Sequence, residues 1–324
     1  MHNLIVRTAP VLLAGLVSIA SAAPDAYRDL VAADAPILWY RMGEPAGSTS
    51  VLNEGTLGPS HSANVSGGVM LGEPSAAGDT AASFDFFNTP FLESVGLAPE
   101  SMLGNPSFTA EAVVYIPFDS VVQLWPPFLH WGQGLTAREV YFSLQRGQRD
   151  RVFVGFYNGG LMSECLTRLD DWNHFVWVRD SDNGQNDAYT GSRLFVNGLE
   201  VSLIPADLLP NFTQLPEVTQ TAFRVQAARD GYRHFDGTID EVVLYDTLLS
   251  AADIEARFEA LQVNPPVICA ADLDGNCGIL DLTDVNLFVA GFLDQDPISD
   301  LDNNGVWDLT DVNLFISSFL AGCP

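Results

Sequence analysis

The sequence predicts a mostly β protein: a two-sheet sandwich of jelly-roll type, followed by a small all-α module at the C-terminus. Three observations carry this. Between Leu38 and Tyr245, short runs of alternating apolar and polar residues recur, separated by Gly, Pro, Asn and Asp, which is the pattern of antiparallel strands. No 3.6-residue apolar period is sustained before Ser250. Near the end, Asp-Leu-Thr-Asp-Val-Asn-Leu-Phe occurs at Asp281 to Phe288 and again, 27 residues later, at Asp308 to Phe315, which marks a duplicated unit.

Taken in order, residues 1–22 read as a secretory signal, with Arg7 in the n-region, an apolar stretch from Val11 to Ala20, and Ala20-Ser21-Ala22 as the cleavage site. That stretch is too short to span a bilayer. The expected mature chain therefore starts near Ala23, is secreted or held at the cell surface, and has no other membrane segment. Residues 23–262 are the expected sandwich. Its clearest strands are Phe108 to Tyr115, Val152 to Tyr157, Phe175 to Val178 and Arg193 to Val196. Asn197-Gly198 predicts a two-residue hairpin turn. Many short strands in one domain imply two stacked sheets. Ser250, with Asp253 three residues on, predicts a capped helix start. Val263-Asn-Pro-Pro-Val267 makes 263–268 a stiff linker to the duplicated unit at 269–324.

Charge narrows the partners. The formal net charge is −27, and all fourteen basic residues are Arg. So acidic a chain excludes nucleic acid and disfavours an anionic membrane surface. Four Cys permit disulfides in an exported protein. Cys269 and Cys323 bracket the duplicated unit and are the expected pair. Cys269–Cys277 competes, Cys165 stands apart, and the sequence does not choose among the three connectivities.

The duplicated unit carries ligand chemistry. Ca²⁺ takes oxygens from positions 1, 3, 5, 7, 9 and 12 of a loop that turns on a glycine at position 6. The second copy supplies Asp300, Asp302 and Asn304, then the carbonyl of Val306, then Asp308 and Asp311, with Gly305 at the turn. The first copy has one extra residue but still offers Asp272, Asp274, Asn276, Asp281 and Asp284. Each loop feeds an apolar stripe, Val285, Phe288, Val289 and Phe292 in one copy and Val312, Phe315, Ile316 and Phe319 in the other, so the two helices are expected to face each other. From Cys269 to Pro324 there are ten Asp and no Glu, Lys, Arg or His.

These residues resemble a type I dockerin, the duplicated calcium module that plugs secreted proteins into cohesin scaffolds. The resemblance covers about Ala270 to Leu320. It implies two calcium ions and a cohesin-like or cell-surface partner read by Leu282-Thr283, Leu309-Thr310 and exposed helix residues. The preceding domain resembles a laminin-G-like, concanavalin A-like jelly roll. The likeness lies in Leu38 to Glu44, Phe108 to Val114, Trp172 to Arg179, Leu194 to Gly198 and Phe235 to Tyr245, and covers nearly all of Pro36 to Leu261. In that family the Asp of the closing strand often ligates a structural calcium, which implies a role for Asp240, with Glu44 as a weaker candidate.

The fold does not by itself name an activity. A retaining glycosidase needs two carboxylates on one face. No E-x-D-x-x-E run is present, and Asp240 and Glu241, being adjacent, are expected to point to opposite faces. Glu111 looks isolated, and His61, His130, His174 and His234 share no metal spacing. Arg146, Arg149 and Arg151 read as solvated loop residues, although such a cluster could grip an acidic sugar. Trp125, Trp131 and Tyr157 are the candidate sugar-stacking aromatics. The expected function is non-catalytic binding of a glycan or surface polymer. The alternatives are a polysaccharide hydrolase or lyase on the same fold and a structural envelope or adhesion protein.

Ten carboxylates without a cation repel one another in any compact state, so metal should supply much of the folding free energy of residues 269–324. Calcium added to that fragment is expected to raise its helical circular dichroism, and chelation to reverse it. Equal helicity in both conditions would count against calcium loops.

Overall fold

The computed structural model describes residues 24–85, 88–163, 167–182, 187–206, 214–228, 233–264, 270–273, 280–302 and 304–322. All four cysteines, and Asp274 and Asn276, lie outside that set. Helix α1 (Pro24–Ala33) comes first. Strands β1 (Leu38–Tyr40), β2 (Ser50–Val51), β3 (Ala63–Ser66), β4 (Val69–Glu73), β5 (Ala81–Phe84) and β6 (Phe91–Leu97) follow. Next come β7 (Phe108–Ile116), β8 (Pro127–Gly132), β9 (Glu139–Leu144), β10 (Val152–Phe156), β11 (Gly159–Ser163) and β12 (Asp171–Arg179). The last strands are β13 (Ser192–Val196), β14 (Leu199–Val201), β15 (Leu203–Pro205), β16 (Ala222–Val225) and β17 (Gly237–Tyr245). Helices α2 (Ala251–Leu261), α3 (Leu282–Asp294) and α4 (Leu309–Ala321) complete the described chain.

The strands form two antiparallel sheets, as expected. The first runs β14-β13-β12-β7-β17-β5-β4, with β1 paired to the far end of β17; the second runs β15-β11-β10-β9-β8-β16-β6-β3-β2. Alternation sends Ala112, Val114, Phe175 and Trp177 of the first sheet inward to meet Phe128, Phe142, Val154 and Phe156 of the second. Phe128 stacks on Phe175 with ring centroids 5.3 Å apart, and Phe108 meets Trp177 edge-on at 4.8 Å. Burial of this apolar surface is the main favourable contribution to the sandwich. The Asn197-Gly198 turn joins β13 to β14 with both residues at positive φ, 48° and 81°, the geometry of a tight hairpin. Ser250 caps α2 and shares a reciprocal capping box with Asp253.

Two features depart from the sequence reading. The first is α1, which that reading did not anticipate because only Tyr27 and Val31, one turn apart, are buried against the sandwich. With α2 it covers the outer face of the first sheet, where Val113, Val176, Val243 and Tyr245 point. The second concerns Glu111, which is not isolated. It is fully buried on β7 and accepts hydrogen bonds from the Tyr27 hydroxyl (2.8 Å), His174 Nε2 (2.8 Å) and the Tyr245 hydroxyl (3.2 Å). Arg257 of α2 lies 3.6 Å from its other oxygen, and also bonds Asp34 and the Leu30 carbonyl of α1. Burial alone would raise the Glu111 pKa; the His174 hydrogen bond and charge, with the Arg257 charge, bring it below the usual value.

The C-terminal helices face each other as expected. Phe288 and Phe315, equivalent positions of the repeat, stack with centroids 4.3 Å apart at 12°. Val285, Phe292, Val312 and Phe319 pack around them. Val289 and Ile316 do not join this seam and are about half exposed, 50% and 48%, so the stripe is narrower than its spacing suggested.

Removing one partner from a buried ion pair strands the other charge, at a cost of about 3–5 kcal/mol. Glu111→Gln, which keeps the shape but loses the charge, is expected to destabilise the sandwich by about 3 kcal/mol in urea unfolding followed by tryptophan fluorescence. An unchanged midpoint would mean that the network does not hold the helices.

Candidate functional site

Three places on the molecule gather side chains with binding chemistry. The first is a recess on the outer face of the second sheet, about 130 Å³ in volume. Its floor is Tyr141 of β9 with Phe153 of β10; Phe156 also borders it, although its ring points into the core against Trp177. Gly155 and Gly160 pair across β10 and β11 and leave room for the Phe153 ring; a Cβ on Gly160 would fall 2.3 Å from it. The walls are Trp125, from the segment before β8, Tyr157 and Asn158, from the two-residue β10–β11 turn, and Arg233. Trp125 tilts against Phe153 at 6.1 Å and its indole N–H donates to Gln145 Oε1 at 3.0 Å. The Arg233 guanidinium lies 5.9 Å from the Trp125 ring centre and 5.4 Å from that of Tyr141; Arg146 lies 5.6 Å from Trp125 on its own account. Beside the floor, on the same face of β9, buried Glu139 accepts from the Tyr141 hydroxyl (2.6 Å) and lies 3.4 Å from His130, whose pKa burial lowers.

The sequence reading took Trp125 and Tyr157 as exposed loop-tip rings; the structure places both, half-buried, at this one recess. Trp131 lies elsewhere. It points into the core from β8, edge-on to Phe108 (5.3 Å) and Phe223 (5.7 Å), and donates to the Met102 carbonyl at 2.9 Å. A central strand buried on both faces leaves it no route to solvent. The sequence reading missed Tyr141, Phe153 and Arg233, because alternation within one strand does not tell which face is wet.

The second place is a buried carboxylate cluster on the outer face of the first sheet. One oxygen each from Asp79, Asp240 and Glu241 lie within 4.8 Å of one another. Asp240 and Glu241 do not oppose each other, because the register of β17 on β7 shifts between Ile239 and Val242. Two residues there face one on the partner strand, and the bulge turns both side chains to the same side. Asp240 accepts from the Ala77 amide (2.6 Å), Glu241 from the Trp39 indole, and Asp79 from Arg41 (2.6 Å), while Arg28 pairs with the same Asp79 oxygen at 2.6 Å. One oxygen on each of the three carboxylates has no hydrogen-bond partner among the described residues, although Arg41 Nε lies 3.9 Å from that of Glu241. Burial pushes the Asp240 pKa up to about 7, and burial with the Asp240 charge raises Glu241 well above its ordinary value. Three carboxylates with orphaned oxygens fit a hard, oxygen-seeking cation. Glu44 lies apart from this trio and accepts from the Leu52 amide at 2.7 Å.

The third place is the C-terminal repeat. Asp300, Asp302 and Asp311 bring one oxygen each within 4.8 Å, and Gly305 turns the loop at φ 77°. The Asn304 side-chain oxygen accepts from the Val306 amide at 2.7 Å, inside the same loop. Asp311 and Asp284 are buried and equivalent: each accepts two amides at 2.9 Å, from Leu301 and Asp308 and from Leu273 and Asp281. Asp308 and Asp281 act as N-caps, donated to by Thr310 and Thr283 at 2.6 Å.

Residues 93–255, half of the chain, match the family profile of the concanavalin A-like lectin/glucanases superfamily. No curated protein matches the chain. Among solved structures, domain 4 of an extracellular arabinanase from Geobacillus stearothermophilus, in complex with arabinotriose, aligns over 68% of this chain and 97% of its own at 13% identity and a TM-score of 0.45. Trypanosoma rangeli sialidase aligns over 69% of this chain and 32% of its own at 15% identity and a TM-score of 0.44. A Ruminococcus gnavus sialidase carbohydrate-binding module bound to α2,3-sialyllactose aligns over 48% and 82% at 17% identity and a TM-score of 0.36. No described helix is long and apolar enough to cross a membrane.

A folded Asp240 that ionises near 7 holds a proton the unfolded chain gives up at about 4. Its contribution to stability is therefore full at acid pH and is lost as pH rises through about 7. In chelator, the melting temperature is expected to fall from pH 5 to pH 8, and Asp240→Asn to flatten that fall. A slope that Asp240→Asn leaves intact would place its origin elsewhere.

Proposed function

We propose that this chain, which belongs to the concanavalin A-like lectin/glucanases superfamily, is an exported, non-catalytic protein whose sandwich binds a glycan and whose C-terminal module docks through calcium. The observation that carries the reading is the aromatic recess, where Trp125 and Tyr157 stand half-buried over a floor of Tyr141 and Phe153. Such rings exclude water and bury the C–H faces of a bound residue, while Asn158, Arg233 and the Tyr157 hydroxyl offer polar contacts at the rim. At about 130 Å³ the recess suits one sugar unit of a longer chain rather than an enclosed ligand.

Burial supports the non-catalytic reading. Among the described residues, the sandwich carboxylates brought together are Asp79, Asp240 and Glu241; Asp240 and Glu241 are fully buried, on the opposite sheet from the recess and out of a polysaccharide's reach. Asp79, Asp240 and Glu241 would hold a structural calcium, which would relieve the repulsion among them.

In the dockerin-like module, Asp300, Asp302, Asn304, Val306, Asp308 and Asp311 would hold one calcium, and Asp272, Asp274, Asn276, Asp281 and Asp284 a second. Calcium would hold each loop in the shape that starts its helix. The two helices then present matched apolar residues to solvent: Leu282 and Leu309 are 76% and 75% exposed, Leu293 and Leu320 76% and 80%. With Val289 and Ile316 they form a duplicated patch suited to a cohesin-like or cell-surface protein.

A glycan array probed with the full-length protein should yield a hit that Trp125→Ala weakens about tenfold, while chelation spares that hit and abolishes capture of the protein partner. Release of reducing sugar from a polysaccharide panel would favour the hydrolase reading instead. An array without hits would favour a structural envelope role.

A further inference from the structure

We infer that the recess selects a glycan bearing carboxylate or sulfate groups, which rests on the proposed glycan-binding reading and narrows its ligand class. The protein has no Lys and a formal net charge of −27, so cations gathered at one face stand out from the rest of the chain. Of the seven described residues lining the recess, Arg233 alone is charged. Its guanidinium is held over both Trp125 and Tyr141. Arg146, from the turn between β9 and β10, is exposed and held over Trp125. Arg149, three residues beyond Arg146, lies 5.3 Å from the Phe118 ring centre and donates to the Phe118 carbonyl.

The pairing of arginine with aromatic decides the ligand class. A guanidinium drawn to a ring by its quadrupole has already lost much of its rotamer freedom. It meets an anion as a pre-organised donor, able to bind carboxylate or sulfate in a fork. The same placement works against an uncharged sugar at Trp125, whose ring is approached by both Arg146 and Arg233. A neutral glycan must displace the arginines, whereas an anionic one uses them.

The overall charge sharpens this. At about 0.15 M salt the field of the acidic surface is screened beyond roughly 8 Å, so a polyanion feels repulsion on approach and attraction only at contact. Binding of an acidic polymer by this protein must therefore depend on individual arginines rather than on a broad basic field.

The test is calorimetry on the full-length protein at physiological salt, with polygalacturonate as the carboxylate probe, dextran sulfate as the sulfate probe, and dextran and arabinan as neutral probes. Binding to at least one acidic polymer is expected, weakened roughly tenfold by Arg233→Gln and also by Arg146→Gln. Arg146 is exposed and outside the packed floor, so its variant reports even if Arg233→Gln disturbs folding. The two acidic probes separate carboxylate from sulfate recognition. Preference for a neutral polymer, lost in Trp125→Ala but unaffected by either arginine change, overturns this inference and leaves the glycan-binding reading standing. Acidic binding that both arginine variants retain overturns it as well. No binding to any of the four polymers overturns both.

Discussion

The outer face of the first sheet is organised by one buried carboxylate. Glu111 sits mid-strand on β7, at a position that alternation turns away from the core and that an ionised side chain could occupy cheaply only in water. The structure closes over it instead. The donors come from α1, β12, β17 and α2, so four separate segments are tied to a single side chain. Helix docking here follows from satisfying that charge as much as from apolar area. With Asp240 and Glu241 buried on the same face, this side of the sandwich is closed. The described aromatic recess opens on the other sheet.

The legible parts of the chain are those whose information is local. The C-terminal repeat writes the helix stripe into one octapeptide, so the two facing helices could be read, whereas the N-cap roles of Asp281 and Asp308 were not. Asn197-Gly198 and Ser250 with Asp253 are equally local. What stayed hidden depends on distant residues or on broken regularity. Nothing within β17 announces the bulge that brings Asp240 and Glu241 to one side. Glu111 finds partners 63 to 146 residues away, and no window around it contains them. Trp131 was misread because a strand central to a sandwich buries both faces, and Val289 and Ile316 because closely stacked Phe288 and Phe315 need only a narrow seam.

The recess shows how small residues shape a surface. Gly155 and Gly160 give up side chains so that one ring can lie across two strands, and Tyr141, tied to Glu139 beside it, continues that floor. A binding face on strands is held more rigidly than one on loops, which here contribute only the walls.

The position of α1 has a consequence for the order of folding. The first described helix is made first and used last. Tyr27 meets Glu111 across 84 residues, and Asp34 meets Arg257 across 223. Until β7, β17 and α2 are in place, α1 has nothing to cover, and the Glu111 charge has no reason to leave water. Contacts so far apart in the chain make for slow folding. Closure of this face waits on contacts that no local segment can make, and a sandwich without its two helices would carry a wet, charged flank.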